Sequence, residues 1–188
     1  MEDEASIINS LFEAGLEILH IRKPGAGVDE IRNLIETIHS KYYLRIALHQ
    51  HHKIGSDYGI KRLHFPEDQR LGISEEALMQ LKVYKNILST SIHQVETYNT
   101  LSASFEYSFF GPVFNSLSKQ GYRSSLKSDF IFPVMNNHPK VIAIGGVELK
   151  NIQQVKQMQF HGAAALGTIW EKPAESILRF QALRKVWK

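Results

Sequence analysis

Short apolar runs of strand length recur along this chain, and between most of them apolar residues fall at helical spacing. That alternation limits the fold more than any other feature. Seven such runs are found, at 17–23, 45–50, 62–66, 87–93, 107–114, 141–147 and 163–170. The intervening helical patterns include Val28, Ile31, Leu34, Ile35 and Ile38, and later Leu149, Ile152, Val155 and Met158. Gly15 suits the end of a first helix, and Pro173 suits the first turn of the last one, where a missing N–H is harmless. Strand alternating with helix implies a parallel sheet covered by helices, either open and doubly wound or closed as a barrel. Periodicity alone does not choose between them.

With 188 residues and 43% hydrophobic content, the chain can bury one core but not two ordinary α/β cores. No linker or repeat interrupts the pattern, so residues 1–188 are read as a single domain. The absence of cysteine excludes disulfides, thiolate metal sites and a cysteine nucleophile, and it accords with a reducing cytoplasm. The first residues are acidic, and no apolar run approaches the ~18 residues that span a bilayer. A cytoplasmic protein with no membrane association is expected. The net charge of +3 is small, and the basic Arg179, Arg184, Lys185 and Lys188 interleave with Ile177, Leu178, Phe180, Leu183 and Val186 at helical spacing. They read as the solvated face of the last helix, not as a nucleic-acid surface. The oligomeric state is left open, a homo-oligomer included.

In a barrel of parallel strands, the reactive groups come from the C-terminal strand ends and the loops after them. Those ends offer His20 with Arg22 and Lys23, His49 with Gln50, His64, Ser91 with His93, Gly111, Gly145 with Gly146, and Gly167 with Thr168. Glycines in the last two turns let backbone N–H groups approach an anion closely, and Thr168 adds a hydroxyl. One glycine turn alone would read as a tight turn; two of them read as a phosphate site, so phosphorylated small molecules are the expected partners. The segment from Gly111 to Lys119 adds Ser116, Ser118 and an ammonium, groups that suit polyanions.

The order of these motifs resembles the thiamine phosphate synthase and TenI family across nearly the whole chain. The matching pieces are Leu19-His20-Ile21-Arg22-Lys23, Arg62-Leu63-His64-Phe65, Ser91-Ile92-His93, Gly111-Pro112-Val113-Phe114 through Lys119, and Val141-Ile142-Ala143-Ile144-Gly145-Gly146-Val147. The resemblance implies a TIM (β/α)8 barrel acting in thiamine biosynthesis. The family's synthases join a pyrimidine diphosphate to a thiazole phosphate and release pyrophosphate, assisted by Mg²⁺. Carried over by position, Arg22, Ser91 and Lys119 would hold the pyrophosphate and Ser116 and Ser118 would line the thiazole end. Gly146 with Thr168 would hold the thiazole phosphate, and His20, His49, Gln50, Gly145 and Gly167 would complete the lining.

Departures from the family pattern bear on the reaction. His49-Gln50 stands where the synthases carry Asn-Asp, so Gln50 replaces a carboxylate expected to bind Mg²⁺ and tight Mg²⁺ binding is doubtful. Glu67 and Asp68 follow the His64 strand in uncertain register for a second carboxylate, and Pro24 falls where a basic residue is expected unless Lys23 substitutes. The metal ligands therefore stay unknown. A second branch of the family, the thiazole tautomerases, needs no metal, and there the residue matching His93 serves as acid and base. The leading reading is a divergent thiamine phosphate synthase, with Arg22 and Lys119 stabilising the leaving pyrophosphate. The alternatives are a tautomerase using His93 and a non-catalytic barrel that binds thiazole or thiamine phosphate. His49, His51, His52 and His64 also invite a transition-metal reading, against the simpler one of a polar barrel mouth.

Seven strands are counted where the resembling barrel has eight, and the missing one is the first. Ile7, Ile8, Leu11 and Phe12 already form a helical stripe at the start of the chain. The expectation is that the polypeptide begins upstream, or that neighbouring edges or another chain close the gap.

Overall fold

In the computed structural model, residues 4–115, 124, 126–127 and 129–188 are described. The chain divides into two compact units, Met1–Ser89 and Thr90–Lys188. The described residues hold seven strands, the number read from sequence. No helix among them is long and apolar enough to cross a membrane.

The first unit opens with α1, Glu4–Glu13, which buries Ile8, Leu11 and Phe12 as one stripe at i, i+3 and i+4. Gly15 ends it with φ +101°. The Leu16 N–H reaches back to the Leu11 carbonyl at 2.9 Å, closing off the helix C-terminus. β1, Leu19–Ile21, is followed by α2, Val28–Thr37, whose Ile31 and Ile35 are fully buried. A 3-10 turn at Ser40–Arg45 leads into β2, Ile46–Leu48, and a second at His52–Tyr58 leads into β3, Arg62–Phe65. These strands pair in parallel, His20 opposite Ala47 and Leu48 opposite Leu63. Helices α3, Glu67–Gly72, and α4, Glu75–Val83, follow, Ser74 capping α4 by accepting the Ala77 N–H. β4, Ile87–Ile92, spans the junction between the units.

The second unit continues through α5, Val95–Asn99, to β5, Phe105–Phe110. β6, Lys140–Ile144, pairs in parallel with β5 on one side and with β7, Gly162–Ala164, on the other. α6, Ile152–Gln157, packs Ile152 and Val155 inward. Phe110, Phe132 and Phe160 form an aromatic core with ring centroids 5.1–6.0 Å apart. The apolar run at 163–170 is strand only in its first part, because Gly167–Trp170 is a short helix, α7. Leu166, Ile169 and Trp170 have the apolar density of a strand but the spacing of a turn. A 3-10 turn at Pro173–Glu175 then leads into α8, Ser176–Trp187.

Candidate functional site

The second unit gathers its candidate residues around the end of β6. Gly145 and Gly146 leave the strand with φ +95° and +64°. The Val113 N–H donates to the Ile144 carbonyl and the Phe114 N–H to the Gly145 carbonyl, both at 3.0 Å, so the segment after β5 runs on beside β6. Side chains have no room there. A Cβ at Gly145 would sit 2.8 Å from Pro112 Cα, one at Gly111 would strike the Ile144 carbonyl, and one at Gly146 the Asn115 carbonyl.

Two side chains brace the following turn. The Asn151 amide donates to the Gly146 carbonyl at 2.8 Å, while its Oδ1 accepts the Glu148 N–H at 2.8 Å. The Thr168 hydroxyl donates to the Val147 carbonyl at 2.5 Å, which sets the start of α7 against this turn. The Arg179 guanidinium donates to the Thr168 carbonyl at 3.1 Å and pairs with Glu171 and Glu175. Arg179 is thus part of this arrangement, contrary to its reading as a solvated helix face, and its side chain is 26% exposed. Among the residues not foreseen, Asn151 carried a signal: a polar residue just before the apolar pattern of α6, where caps and turns concentrate.

The His93 Nδ1 lies 2.6 Å from the Gly111 carbonyl. A carbonyl only accepts, so Nδ1 carries a proton here, and proton exchange by this ring would run through Nε2. Ser91 is half-buried near the end of β4. Ser116, Ser118 and Lys119 lie outside the described residues.

The first unit brings three histidines onto one sheet face. Parallel register sets His20 opposite Ala47, and His49, two residues on, falls on the same face; extending the β2–β3 register by one step sets His49 opposite His64. His20 Nδ1 and His49 Nε2 are 2.9 Å apart, and the His49 and His64 rings stack at 3.9 Å. His64 Nδ1 bonds the Ser89 hydroxyl at 3.0 Å. Burial pushes all three imidazoles below their ordinary range, with Arg22 adding to the effect at His49, which falls to about 3, and Arg62 at His20. His51 does not join them: its backbone is left-handed at φ 54° and its ring bonds the Ala26 carbonyl. His52 likewise bonds backbone, at the Leu48 and His64 carbonyls.

These residues do not fit Mg²⁺, which takes hard oxygen donors. Gln50 carries no charge, and its amide donates to the Lys23 and Ala26 carbonyls at 2.7 and 3.3 Å. Glu67 pairs with Arg70 at 3.2 Å, and the three clustered side chains are imidazoles. Arg22 is exposed just past β1, and Lys23 pairs with Glu4 at 2.8 Å.

Parallel strands, crossover helices and polar residues gathered where the strands end define an α/β protein of the kind whose loops carry its chemistry. The match to known proteins is more particular. The family model for thiamine monophosphate synthase matches residues 1–169, and the chain belongs to that family. A thiamine-phosphate synthase of Staphylococcus saprophyticus is 22% identical over 178 residues, covering 87% of this chain and 79% of that one. The crystal structure of thiamine phosphate pyrophosphorylase from Bacteroides thetaiotaomicron superposes with a TM-score of 0.75 at 25% identity, over 99% of this chain and 91% of that one. A thiamine phosphate pyrophosphorylase from Pyrococcus furiosus gives 0.74 at 15% identity, over 98% and 89%. The family supports a thiamine-phosphate synthase-like enzyme of thiamine biosynthesis.

Proposed function

We propose that this chain is a divergent thiamine phosphate synthase, joining a pyrimidine diphosphate to a thiazole phosphate with release of pyrophosphate. The observation that carries the reading is the pair of braced turns at Gly145–Gly146 and Gly167–Thr168, tied by the bond from Thr168 to the Val147 carbonyl. Backbone N–H groups in such turns suit the thiazole phosphate. Carried over by position from the family, Arg22, Ser91 and Lys119 would supply donors to the diphosphate. As pyrophosphate leaves, negative charge builds on its oxygens, and donors held ready there would stabilise that charge with little reorganisation. On the family's pattern Ser116 and Ser118, outside the described residues, would line the thiazole end. No step is assigned to Mg²⁺, because the donor set does not suit it. The test supplies both substrates to the purified protein, with and without Mg²⁺. Thiamine phosphate and pyrophosphate in equal amounts support the reading, and the absence of both defeats it.

The His93 tautomer favours a second reading, a thiazole tautomerase that moves a proton on a thiazole carboxylate phosphate. With Nδ1–H engaged at Gly111, Nε2 takes the proton and returns it elsewhere on the ring system. Supplying the non-aromatic thiazole tautomer alone separates this reaction from the first. Binding without turnover in both assays marks a non-catalytic phosphate-binding protein.

A further inference from the structure

We propose that His20, His49 and His64 form a binding site for a borderline divalent transition-metal ion of the zinc and cobalt class, with a fourth position open to an anion. The inference is independent of the reaction proposed above. Each residue offers one nitrogen, and the three nitrogens lie within 4.8 Å of one another. Imidazole suits zinc, cobalt, nickel and copper, and three imidazoles with an open fourth position make a recurrent zinc arrangement. Metal–nitrogen bonds of ~2.0–2.1 Å in a tetrahedral array set the nitrogens about 3.3 Å apart. The His20–His49 separation of 2.9 Å is already near that value.

One ring must turn for all three lone pairs to converge. A lone pair lies in its ring plane, and the His49 and His64 planes differ by only 25° in a 3.9 Å stack. His64 is fully buried and held at Ser89, whereas His49 Nδ1 is buried with no hydrogen-bond partner. Rotating His49 therefore gives up one imidazole–imidazole bond and relieves an orphaned nitrogen.

The surrounding charge sets the fourth ligand. Arg22 acts on His49 and Arg62 on His20, and the cluster contains no carboxylate among the described residues. Cationic neighbours of this kind favour an anionic oxygen, hydroxide or phosphate, as the fourth ligand.

The test uses the full chain without a polyhistidine tag, stripped with chelator and titrated with Co²⁺. One equivalent should bind with the visible spectrum of four-coordinate cobalt, and hyperfine-shifted NMR signals should come from three imidazole rings. His20→Ala and His49→Gln should each weaken binding by at least the about tenfold that even an outer contact to a metal ligand is worth. His51→Ala should leave binding unchanged. Signals from two rings or fewer, no stoichiometric binding, or binding as tight as wild type in both variants overturns the proposal. The wild-type NMR count decides the matter even where a variant fails to fold.

Discussion

The Thr168 hydroxyl donates to the Val147 carbonyl across 2.5 Å, and Val147 is 3% exposed. Removing the hydroxyl strands a buried acceptor, which costs about 1–3 kcal/mol. Thr168→Val should lose that much stability in urea titration, while Thr168→Ser stays near wild type. Under the proposed function, KM for the thiazole phosphate should rise in Thr168→Val more than kcat falls. An unchanged KM would remove this turn from phosphate binding.

Glycine at 146 is required by both conformation and space. Gly146→Ala combines φ +64° with a clash against the Asn115 carbonyl, whereas Gly25→Ala combines φ +83° with open surroundings. The left-handed conformation alone costs roughly 1–2 kcal/mol, and forcing neighbours apart adds about 1–3 kcal/mol. Gly146→Ala should therefore be the more destabilising by a margin visible in its denaturation midpoint. Equal losses would mean that the segment after β5 yields freely.

Stability should fall as the solution is acidified, through the buried histidines. The unfolded chain protonates them near the ordinary value of about 6.5, but the folded chain resists until far lower, about 3 for His49. Between those values the unfolded state binds more protons, so stability is complete above about pH 6.5 and is lost as pH falls toward 3. Each such histidine contributes up to about 1.4 kcal/mol per pH unit in that window. Melting curves from pH 7 to 4 should show a shallower slope for His49→Gln than for wild type, and parallel slopes would contradict the burial argument.

His93 separates the two reactions. If the chain is a tautomerase, His93→Ala should lower turnover by roughly 10²-fold or more. His93→Gln keeps a donor for the Gly111 carbonyl but supplies no base, so it should not restore activity. If His93→Gln works like wild type, the ring only anchors Gly111.

The sequence made much of the architecture legible, because strand-length apolar runs and helical stripes are local signals. β1 to β6 each overlap an apolar run, and α2 and α6 fall on the stripes through Ile31 and Ile35 and through Ile152 and Val155. At β7 the signal found the strand but ran past its end, since Leu166, Ile169 and Trp170 satisfy a strand pattern and a helical turn equally well over so short a span. Gly145, Gly146 and Thr168 were legible as turn chemistry. The grouping of His20 with His49 and His64 was not, because it depends on register between strands, and sequence spacing suggested His51 instead. Asn151 was overlooked because its side chain acts backwards, on residues 146 and 148, while its position announces a helix ahead.

Helix α7 has a further consequence, for what light can report about this protein. The two tryptophans, Trp170 in α7 and Trp187 in α8, both lie in the second unit, and Trp170 follows Thr168 by two residues. Emission from Trp170 is thus suited to reporting on the turn at Gly167–Thr168, and the phosphate binding proposed above can be tested with it, without a label. Residues 1–89 contain no tryptophan, and if the histidine cluster takes cobalt as proposed, absorption by the bound ion reports on that unit instead. Two optical signals, one for each unit, can be read from the same sample, and their melting midpoints measure directly whether the units unfold as one.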